Sequence, residues 1–292
     1  MKVLATRPLP GPAWEELEDV EIGVAPAAAR EDVEALVVAN ETVDERVLEL
    51  LPSLRLVANF GVGYDRIDVA ACRARGVAVT NTPGVLDAAT ADLAMALMLA
   101  VRRRLVQGDR LVRDGGWTVP WSAGPFLGRE LTGATLGLVG MGRIGTAVAQ
   151  RARGFEMRVV GISSREGDLD ELLVAADVVS LHVPLTAATA GLISRERLAL
   201  LRDGATLVNT ARGAVVDEEA LVDELVGGRI SAGLDVFADE PNVPERLLGL
   251  PNVVLTPHIA SATVETRAAM TRIVVDNVLA VEGGEPPRTP VP

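Results

Sequence analysis

The feature that most constrains the fold of this chain is a string of three closely spaced glycines between an apolar segment and a helical one. Gly140, Gly142 and Gly145 stand in the sequence Gly-Met-Gly-Arg-Ile-Gly. Residues 135–139, just before it, form an apolar run with strand character, and residues 143–153 have helical spacing. A glycine turn in this context is typical of a strand–helix–strand unit, which predicts a parallel sheet in this half of the chain.

Short apolar runs alternate with helical segments along most of the chain. The runs are continuous rather than alternating, which indicates strands buried on both faces of a parallel sheet. We predict strands at residues 3–5, 20–24, 35–38, 54–58, 77–79, 135–139, 157–162, 178–181, 206–209, 232–236 and 253–255, and helices at 14–19, 44–51, 68–75, 87–104 and 143–153. The predicted fold class is α/β, with two doubly wound parallel-sheet domains.

The first series of elements ends at the turn residues Thr82-Pro83-Gly84. We expect one domain to comprise residues 1–86 together with residues from about 265 to 292, and the other to comprise residues 87–264. The run Arg102-Arg103-Arg104 is interpreted as a solvated helix end, since cations are favoured at a helix C-terminus. The Gly/Pro-rich residues 282–292 are expected to have no regular structure.

Charge and composition exclude several classes of function. The net charge of −12 argues against general nucleic-acid binding, which needs a basic face. The longest apolar run, residues 93–101, is far shorter than the roughly 20 residues that span a bilayer. The single cysteine, Cys72, excludes an internal disulfide framework and argues against a thiolate metal site. We therefore expect a cytoplasmic protein without a metal, a membrane segment or a nucleic-acid partner.

The glycine string predicts a dinucleotide site. Gly140 would make the tight turn, and Gly142 would let the backbone approach a pyrophosphate at the helix N-terminus. Gly145 would allow close packing of helix on strand, while Arg143 and Ile144 form the first helical turn beside the phosphates.

The end of the next strand bears on which dinucleotide is bound. Sites for NAD normally carry an acidic residue there for the ribose hydroxyls, whereas this chain has Ser163, Ser164 and Arg165. Hydroxyls and a guanidinium can bind the 2′-phosphate of NADP through charge-assisted hydrogen bonds. The sequence favours NADP(H), and NAD(H) stays open because nearby Asp168 could take the ribose role.

Polar residues follow four successive strands of the second series. Both histidines of the chain are among them, His182 and His258, together with Arg212 and Glu240. Asp235 lies at the end of the predicted strand 232–236. Parallel sheets bind their ligands at the carboxyl ends of the strands, so these side chains are expected to share one crevice. Histidine is suited to proton transfer near neutral pH, a carboxylate can fix its tautomer, and an arginine can grip a carboxylate while polarising a ketone.

The motifs together resemble the D-isomer-specific 2-hydroxyacid dehydrogenases over nearly the whole chain and in the expected order. His258 lies in Thr-Pro-His-Ile and Glu240 in Asp-Val-Phe-Ala-Asp-Glu-Pro. The matching segments are residues 58–65, 81–86, 140–145, 181–186, 209–213, 216–221, 235–241 and 256–259. The resemblance implies a flavodoxin-like domain and a Rossmann-like nucleotide-binding domain, with the active site in the cleft between them and 1–86 plus 265–292 binding substrate.

The resemblance also implies a role for each site residue. His258 would be the acid/base, Glu240 its carboxylate partner and Arg212 the binder of the substrate's carboxylate and carbonyl oxygen. The Val62-Gly63 backbone would cradle the carboxylate, and Asp235 would hold the nicotinamide carboxamide. His182, Pro184 and Thr210 are assigned to the cofactor pocket, although a structural role for His182 is equally compatible. The family is commonly dimeric through its nucleotide domain, so a homodimer is expected.

Details within the resemblance narrow the substrate, a small 2-keto or 2-hydroxy acid. Formate dehydrogenases have glutamine where this chain has Glu240, which argues against formate. Residues 83–94 look more like glyoxylate and hydroxypyruvate reductases than like phosphoglycerate dehydrogenases. Another D-2-hydroxy acid, such as phosphoglycerate or lactate, stays an alternative, as does a dinucleotide-sensing corepressor-like protein. Trp117 and Trp121 could line the substrate pocket or pack elsewhere. The short segment 163–169 indicates that the third strand of the nucleotide domain is shortened or missing.

Overall fold

The computed structural model describes residues 1–24, 26–120, 126–163 and 167–292. Its contacts divide the chain into two compact units, of which the first is Met1–Leu86 with Ser261–Pro292 and the second is Asp87–Ala260. The chain returns to the first unit at Ser261, whereas the sequence put that point near 265. In the described ranges, no helix is both long and apolar enough to span a bilayer.

The regular elements are as follows. The strands are β1 Val3–Ala5, β2 Val20–Ile22, β3 Ala35–Val38, β4 Leu56–Asn59, β5 Ala78–Thr80, β6 Thr135–Val139, β7 Arg158–Ile162, β8 Val178–Leu181, β9 Thr206–Asn209, β10 Ser231–Leu234 and β11 Val253–Leu255. The helices are α1 Glu45–Leu50, α2 Val69–Ala74, α3 Asp87–Arg102, α4 Leu105–Arg113, α5 Arg143–Gly154, α6 Leu169–Ala175, α7 Arg195–Leu200, α8 Glu218–Val226 and α9 Val264–Glu282. Short 3-10 helices cover Pro12–Glu16, Gly213–Val215 and Glu245–Leu247.

The first unit is built on a five-stranded parallel sheet with the order β2-β1-β3-β4-β5. Residues of β3 and β4 are buried without alternation, as expected for strands covered on both faces. Helices begin at capping side chains: Asp44 accepts from the N–H of Val47, and Asp68 accepts from that of Ala71. Helix α9 packs against β4 and completes this unit.

The second unit is a six-stranded parallel sheet with the order β11-β10-β9-β8-β6-β7. One face carries α3 and α5, and the other carries α6, α7 and α8, each with its own buried apolar cluster. The chain runs from β6 outward to β7 and then crosses to β8 on the other side of β6. The switch point between β6 and β8 is where doubly wound sheets bind ligands. The predicted α/β class with two parallel-sheet domains is thus confirmed.

The edge of this second sheet matches the expectation that the short segment 163–169 leaves the third strand shortened or missing. In the part of the chain that the structure describes, no strand lies beyond β7, and α6 begins at Leu169. The third strand of a complete nucleotide-binding unit is therefore missing from the described residues.

The interpretation of residues 102–104 as a solvated helix end is wrong for Arg102, although Arg103 is exposed. Helix α3 ends at Arg102, whose side chain is buried and donates to the backbone carbonyls of Glu130 (2.8 and 3.2 Å) and Asp177 (3.4 Å). Burial lowers the pKa of this guanidinium from its ordinary value. Arg104 then adopts a left-handed conformation with φ of 54°, and α4, which the sequence did not predict, begins at Leu105.

Other observed element boundaries differ from the predicted ones by one to a few residues. The predicted helix 14–19 is the 3-10 helix Pro12–Glu16, and the predicted strand 54–58 is Leu56–Asn59. Strand β10 ends at Leu234, so Asp235 follows the strand instead of belonging to it. The C-terminal tail has no helix or extended strand after Glu282, although Pro290 forms an isolated antiparallel bridge with Thr80.

Candidate active site

Three polar side chains follow neighbouring strands of the second unit. Arg212 comes after β9, Glu240 comes after β10, and His258 comes after β11. Because β9, β10 and β11 are adjacent and parallel, their carboxyl ends lie along one edge of the sheet. The structure thus places the predicted trio on consecutive strand ends of one sheet.

His258 and Glu240 form a hydrogen-bonded pair. The distance from His258 Nδ1 to Glu240 Oε2 is 2.7 Å, and the other carboxylate oxygen, Oε1, accepts from the backbone N–H of Phe237 at 3.1 Å. The imidazole is 38% exposed and the carboxylate 13% exposed. With Nδ1 turned to the carboxylate, Nε2 is the ring nitrogen that can serve a ligand.

Glu240 stays ionised in spite of its burial. Burial acts to raise its pKa, but the hydrogen bond and charge of His258, the N–H of Phe237 and the charge of Arg212 together outweigh that effect. The net result is a pKa below the ordinary value for glutamate. A charged carboxylate that accepts from one imidazole nitrogen fixes the orientation and the tautomer of the ring.

The loop that carries His258 is held by Asp235. This carboxylate is fully buried and accepts from Thr256 Oγ1 at 2.6 Å and from the backbone N–H groups of Ile259 and Ala260, each at 2.8 Å. The backbone N–H of His258, whose φ is 54°, donates to the Asp235 carbonyl at 2.9 Å. Burial raises the pKa of Asp235, although all three bonds act to lower it. In the structure Asp235 therefore braces the histidine loop, and its contact with a nicotinamide stays a prediction.

Arg212 is held by hydrogen bonds to Asn209 and Ala211, and it is followed by a closely packed glycine. Its carbonyl accepts from Asn209 Nδ2 at 2.8 Å, and its Nη1 donates to the Ala211 carbonyl at 2.7 Å. A Cβ on the next residue, Gly213, would lie 2.0 Å from the Phe237 carbonyl carbon. Only glycine permits this approach, which brings the Arg212 segment against the segment that leads to Glu240.

The glycine turn has the packing that its motif predicts. Gly140 has a φ of 103°, and a Cβ there would lie 2.6 Å from the His182 carbonyl oxygen. A Cβ on Gly145 would lie 2.0 Å from the Gly140 carbonyl oxygen, so helix and turn are in direct contact. Around Gly142, in contrast, nothing lies within 4 Å of the Cβ position. Two glycines serve close packing, and the third leaves open space at the start of α5.

This open space fits a phosphate group. Gly142 is the N-cap of the 12-residue helix α5 and supplies no capping side chain, and the first turn has no acidic residue. A helix N-terminus with these properties attracts anions. Arg143 is 57% exposed there and lies 3.8 Å from Asp87, while Ile144 packs against the apolar core. Thr210 Oγ1 is buried and, among the described residues, has no hydrogen-bond partner. The residues present thus fit a dinucleotide.

His182 lies beside the same turn, at the switch point. Its Nε2 is 2.9 Å from Ser180 Oγ, and burial lowers its pKa to about 4. The ring is therefore neutral near pH 7. Pro184 follows two residues later and is exposed. The cofactor assignment of these two residues stays a prediction.

The cofactor-discriminating segment is only partly described. Ser163 is exposed just after β7, and Ser164 and Arg165 lie outside the described residues. Asp168, the alternative ribose ligand, caps α6: its Oδ1 accepts from the N–H groups of Asp170 (2.8 Å) and Glu171 (3.1 Å).

Val62 and Gly63 belong to the first unit, in a loop directly after β4. Sequence reasoning named them but missed Asn59 and Asn81, whose side-chain amides donate to the carbonyls of this loop. The available signal was an asparagine at or just after the end of two adjacent strands, β4 and β5. Of the two tryptophans singled out, Trp117 is 63% exposed, which excludes core packing, and Trp121 lies outside the described residues. Within the described ranges, no group of three or more His, Cys, Asp or Glu residues could hold a metal ion.

Comparison with known proteins finds a matching family profile and relatives that share close to half of their residues with this chain. The family profile described as "D-isomer specific 2-hydroxyacid dehydrogenase, NAD binding domain" matches residues 95–260. A glyoxylate reductase of Pyrococcus furiosus is 50% identical over 275 residues, covering 88% of this chain and 82% of that protein. A glyoxylate reductase of Pyrococcus horikoshii is 46% identical and covers 99% of this chain and 95% of its own length.

Solved structures give the same result. A Thermus thermophilus protein superposes with a TM-score of 0.93 at 46% identity, with 100% of both chains covered. An NADPH-dependent glyoxylate/hydroxypyruvate reductase of Sinorhizobium meliloti, solved with NADP and malonate, has a TM-score of 0.88 at 38% identity. That match covers 99% of this chain and 96% of the other.

Proposed function

Because the chain belongs to the D-isomer specific 2-hydroxyacid dehydrogenases, we propose that it reduces glyoxylate or hydroxypyruvate to the corresponding 2-hydroxy acid with NADPH. It is an NAD(P)-dependent oxidoreductase of this family. The observation that carries the proposal is the 2.7 Å pair of His258 and Glu240 on strand ends next to that of Arg212.

His258 supplies the proton in this proposal. Its Nδ1 is bonded to Glu240, so Nε2 donates to the keto oxygen as that oxygen gains negative charge. Glu240 holds the ring in the required orientation and tautomer. When bound, reduced nicotinamide supplies the hydride that reduces the keto carbon.

Arg212 binds the substrate in this proposal: its guanidinium holds the carboxylate and polarises the keto oxygen through charge-assisted hydrogen bonds. The family resemblance assigns carboxylate binding to the backbone N–H groups of Val62 and Gly63 as well. Asp235 holds the loop of His258, and in this proposal it also binds the nicotinamide carboxamide, as the family resemblance implies.

The cofactor site comprises the glycine turn, the first turn of α5 and the residues around the switch point. Gly140, Gly142 and Gly145 admit the pyrophosphate, with Arg143 and Ile144 next to it. His182, Pro184 and Thr210 belong to the same cofactor pocket.

The preference for NADP(H) is argued from the end of β7. Ser163, Ser164 and Arg165 offer hydroxyls and a positive charge where an acidic residue would repel a 2′-phosphate. Asp168 is engaged in capping α6, which favours NADP(H) over the alternative in which it holds the ribose of NAD(H). The Sinorhizobium meliloti neighbour is named as NADPH-dependent, which supports the same choice.

We also propose a homodimer in the cytoplasm. Large apolar side chains are exposed within residues 105–119 and 126–127, among them Leu105, Val112, Trp117 and Leu127. Exposed apolar surface of this kind is typical of a protein–protein interface. Sedimentation of the wild type and of Val112→Glu tests the state: we expect a dimer that the variant weakens, and a monomeric wild type would contradict it.

The experiment that tests the function is an NADPH oxidation assay with a panel of 2-keto acids. We expect glyoxylate or hydroxypyruvate to give the highest kcat/KM, above pyruvate and 3-phosphohydroxypyruvate. Repeating the assay with NADH, and with Arg165→Ser, tests the cofactor: NADPH should be preferred, and the variant should lose most of that preference. If no keto acid of the panel supports oxidation of either cofactor, the proposed function is wrong.

A further inference from the structure

The loop of residues 61–63, which follows β4, has all three of its carbonyl groups bound by the protein. Asn59 Nδ2 donates to the carbonyls of Gly61 (3.1 Å) and Gly63 (2.8 Å). Asn81 Nδ2 donates to the carbonyl of Val62 at 2.9 Å. The Gly61 carbonyl also accepts from the backbone N–H of Thr82 at 3.0 Å. Two asparagine amides therefore fix the orientation of three successive peptide groups.

This arrangement determines where the N–H groups of the loop point. In a trans peptide the N–H is directed opposite to the C=O of the same group. Pinning the carbonyls of Gly61 and Val62 toward the asparagines thus turns the N–H groups of Val62 and Gly63 away from them. Among the described residues, neither N–H has an acceptor. Successive N–H groups presented in this way form a small anion-binding site.

Asn81 is in turn held by the C-terminal tail. Its backbone N–H donates to the Thr289 carbonyl at 3.3 Å, and its carbonyl accepts from Thr289 Oγ1 at 2.6 Å. Thr289 is fixed by Asn277 of α9, whose side chain is fully buried. Asn277 Nδ2 donates to Thr289 Oγ1 at 2.9 Å, and Asn277 Oδ1 accepts from the Thr289 N–H at 3.0 Å. The backbone bond from Val291 to Val79 continues the attachment along β5.

We propose that the C-terminal tail positions the substrate's carboxylate-binding loop, acting through Thr289 and Asn81 on the peptide groups of residues 61–63. The proposal rests on the proposed function, in which this loop binds the carboxylate of a 2-keto acid. Without the hydroxyl of Thr289, the Asn81 backbone keeps only its longer bond to the Thr289 carbonyl, so the side chain of Asn81 holds the Val62 carbonyl less firmly. A released peptide group can rotate, and its oxygen would then repel the substrate's anionic end.

The test compares Thr289→Val, which keeps the shape but makes no hydrogen bond, with Thr289→Ser, which keeps the hydroxyl. We expect Thr289→Val to raise KM for glyoxylate about tenfold, the effect of losing one hydrogen bond of about 1.4 kcal/mol. The kcat and the Kd for NADPH, measured by fluorescence, should stay within about twofold. Thr289→Ser should restore the KM, and Arg288→Ala, an exposed neighbour in the same tail, should not change it.

A second variant and a binding measurement complete the test. Asn81→Asp replaces the donor to the Val62 carbonyl with a carboxylate, so it should raise KM more than Thr289→Val does. It serves as the decisive variant should Thr289→Val lose its cooperative thermal transition. The Kd of oxamate, a 2-keto acid analogue, should follow the KM in both variants.

The outcomes separate this inference from the proposed function. A wild type that reduces glyoxylate, with KM and oxamate Kd unchanged in Thr289→Val and Asn81→Asp, would overturn the inference alone. The inference alone would also be overturned if the variants raised the Kd for NADPH by as large a factor as the KM for glyoxylate. A wild type that reduces no 2-keto acid would overturn both.

Discussion

The two histidines occupy similar places in the second sheet but have different surroundings. His258 follows β11, is 38% exposed and is bonded to the carboxylate of Glu240. His182 follows β8 at the switch point, is partly buried and is bonded to the hydroxyl of Ser180. A carboxylate partner supports proton transfer, whereas a hydroxyl and burial, which lowers the pKa of His182 to about 4, keep the ring neutral.

The difference shows that a strand-end position does not by itself assign a role to a histidine. Its partners, its exposure and the charges around it decide whether it can exchange a proton with a ligand. We therefore propose that His258 is the proton donor, and the role of His182 in the cofactor pocket stays a prediction. The predictions below would break or sharpen that distinction.

The largest effect is expected when each histidine is replaced in turn and the kinetics of the two variants are compared. His258→Gln should lower kcat for glyoxylate reduction about a thousandfold, because it removes the proton donor. His182→Gln should mainly raise KM for NADPH and keep kcat within about tenfold of the wild type. Steady-state kinetics of both variants check this. Equal losses of kcat would erase the distinction between the histidines.

A second pair of substitutions compares Arg212, which follows β9, with Arg143, which begins α5. Arg212→Lys should lower kcat/KM for glyoxylate roughly a hundredfold, since lysine cannot reproduce a bidentate grip. Arg143→Lys, at the exposed start of α5, should change only the NADPH parameters, and by a few fold. Kinetics with each substrate varied in turn give the answer. A larger loss of kcat/KM for glyoxylate in Arg143→Lys than in Arg212→Lys would contradict the assignment of the substrate to Arg212.

The third prediction concerns the pH dependence of stability. The folded protein lowers the pKa of His182 from 6.5 to about 4. The unfolded chain therefore takes up a proton at this ring before the folded one does, and stability is lost as pH falls from 6.5 to 4. The contribution is full above pH 6.5 and amounts to at most about 3 kcal/mol.

Urea unfolding at pH 7 and pH 4 measures this effect. The loss of unfolding free energy between the two pH values should be smaller in His182→Gln than in the wild type. His258→Gln is the matched control, because it changes the other histidine. An identical loss in wild type and His182→Gln would show that the ring is not held neutral.

The smallest effect concerns Asp168, near the cofactor-discriminating segment. Asp168→Ala should destabilise the protein by about 1 kcal/mol through loss of the N-cap of α6. The ratio of kcat/KM with NADPH to that with NADH should not change. Thermal melts and the two-cofactor assay check both statements. A marked gain in NADPH preference would mean that Asp168 binds the ribose after all.

Much of the fold could be predicted because its signals are local. Continuous apolar runs predicted the parallel strands, and the glycine spacing predicted the start of α5. Helix α4 was missed because Gly108 and the polar residues around it weaken the helical pattern. Arg102 was misjudged because its partners, the carbonyls of Glu130 and Asp177, are distant in sequence.

The candidate site, like the fold, could be predicted only in part. Strand-end positions and the family resemblance together singled out Arg212, Glu240 and His258, and the resemblance itself is confirmed. The supporting bonds could not be predicted. Thr289 reaches Asn81 across 208 residues, and no local pattern in the sequence specifies that contact.

The pair of His258 and Glu240 is tested most directly by the pH dependence of kcat/KM for glyoxylate reduction in the wild type and in Glu240→Gln. The pKa of Glu240 lies below its ordinary value, so the carboxylate is charged throughout the neutral range. Replacing it with a neutral amide removes the charged partner that orients the His258 ring for proton transfer, so kcat/KM should fall about a hundredfold throughout the neutral range. Profiles that coincide, with equal maximal rates, would contradict the assignment of the proton to this pair.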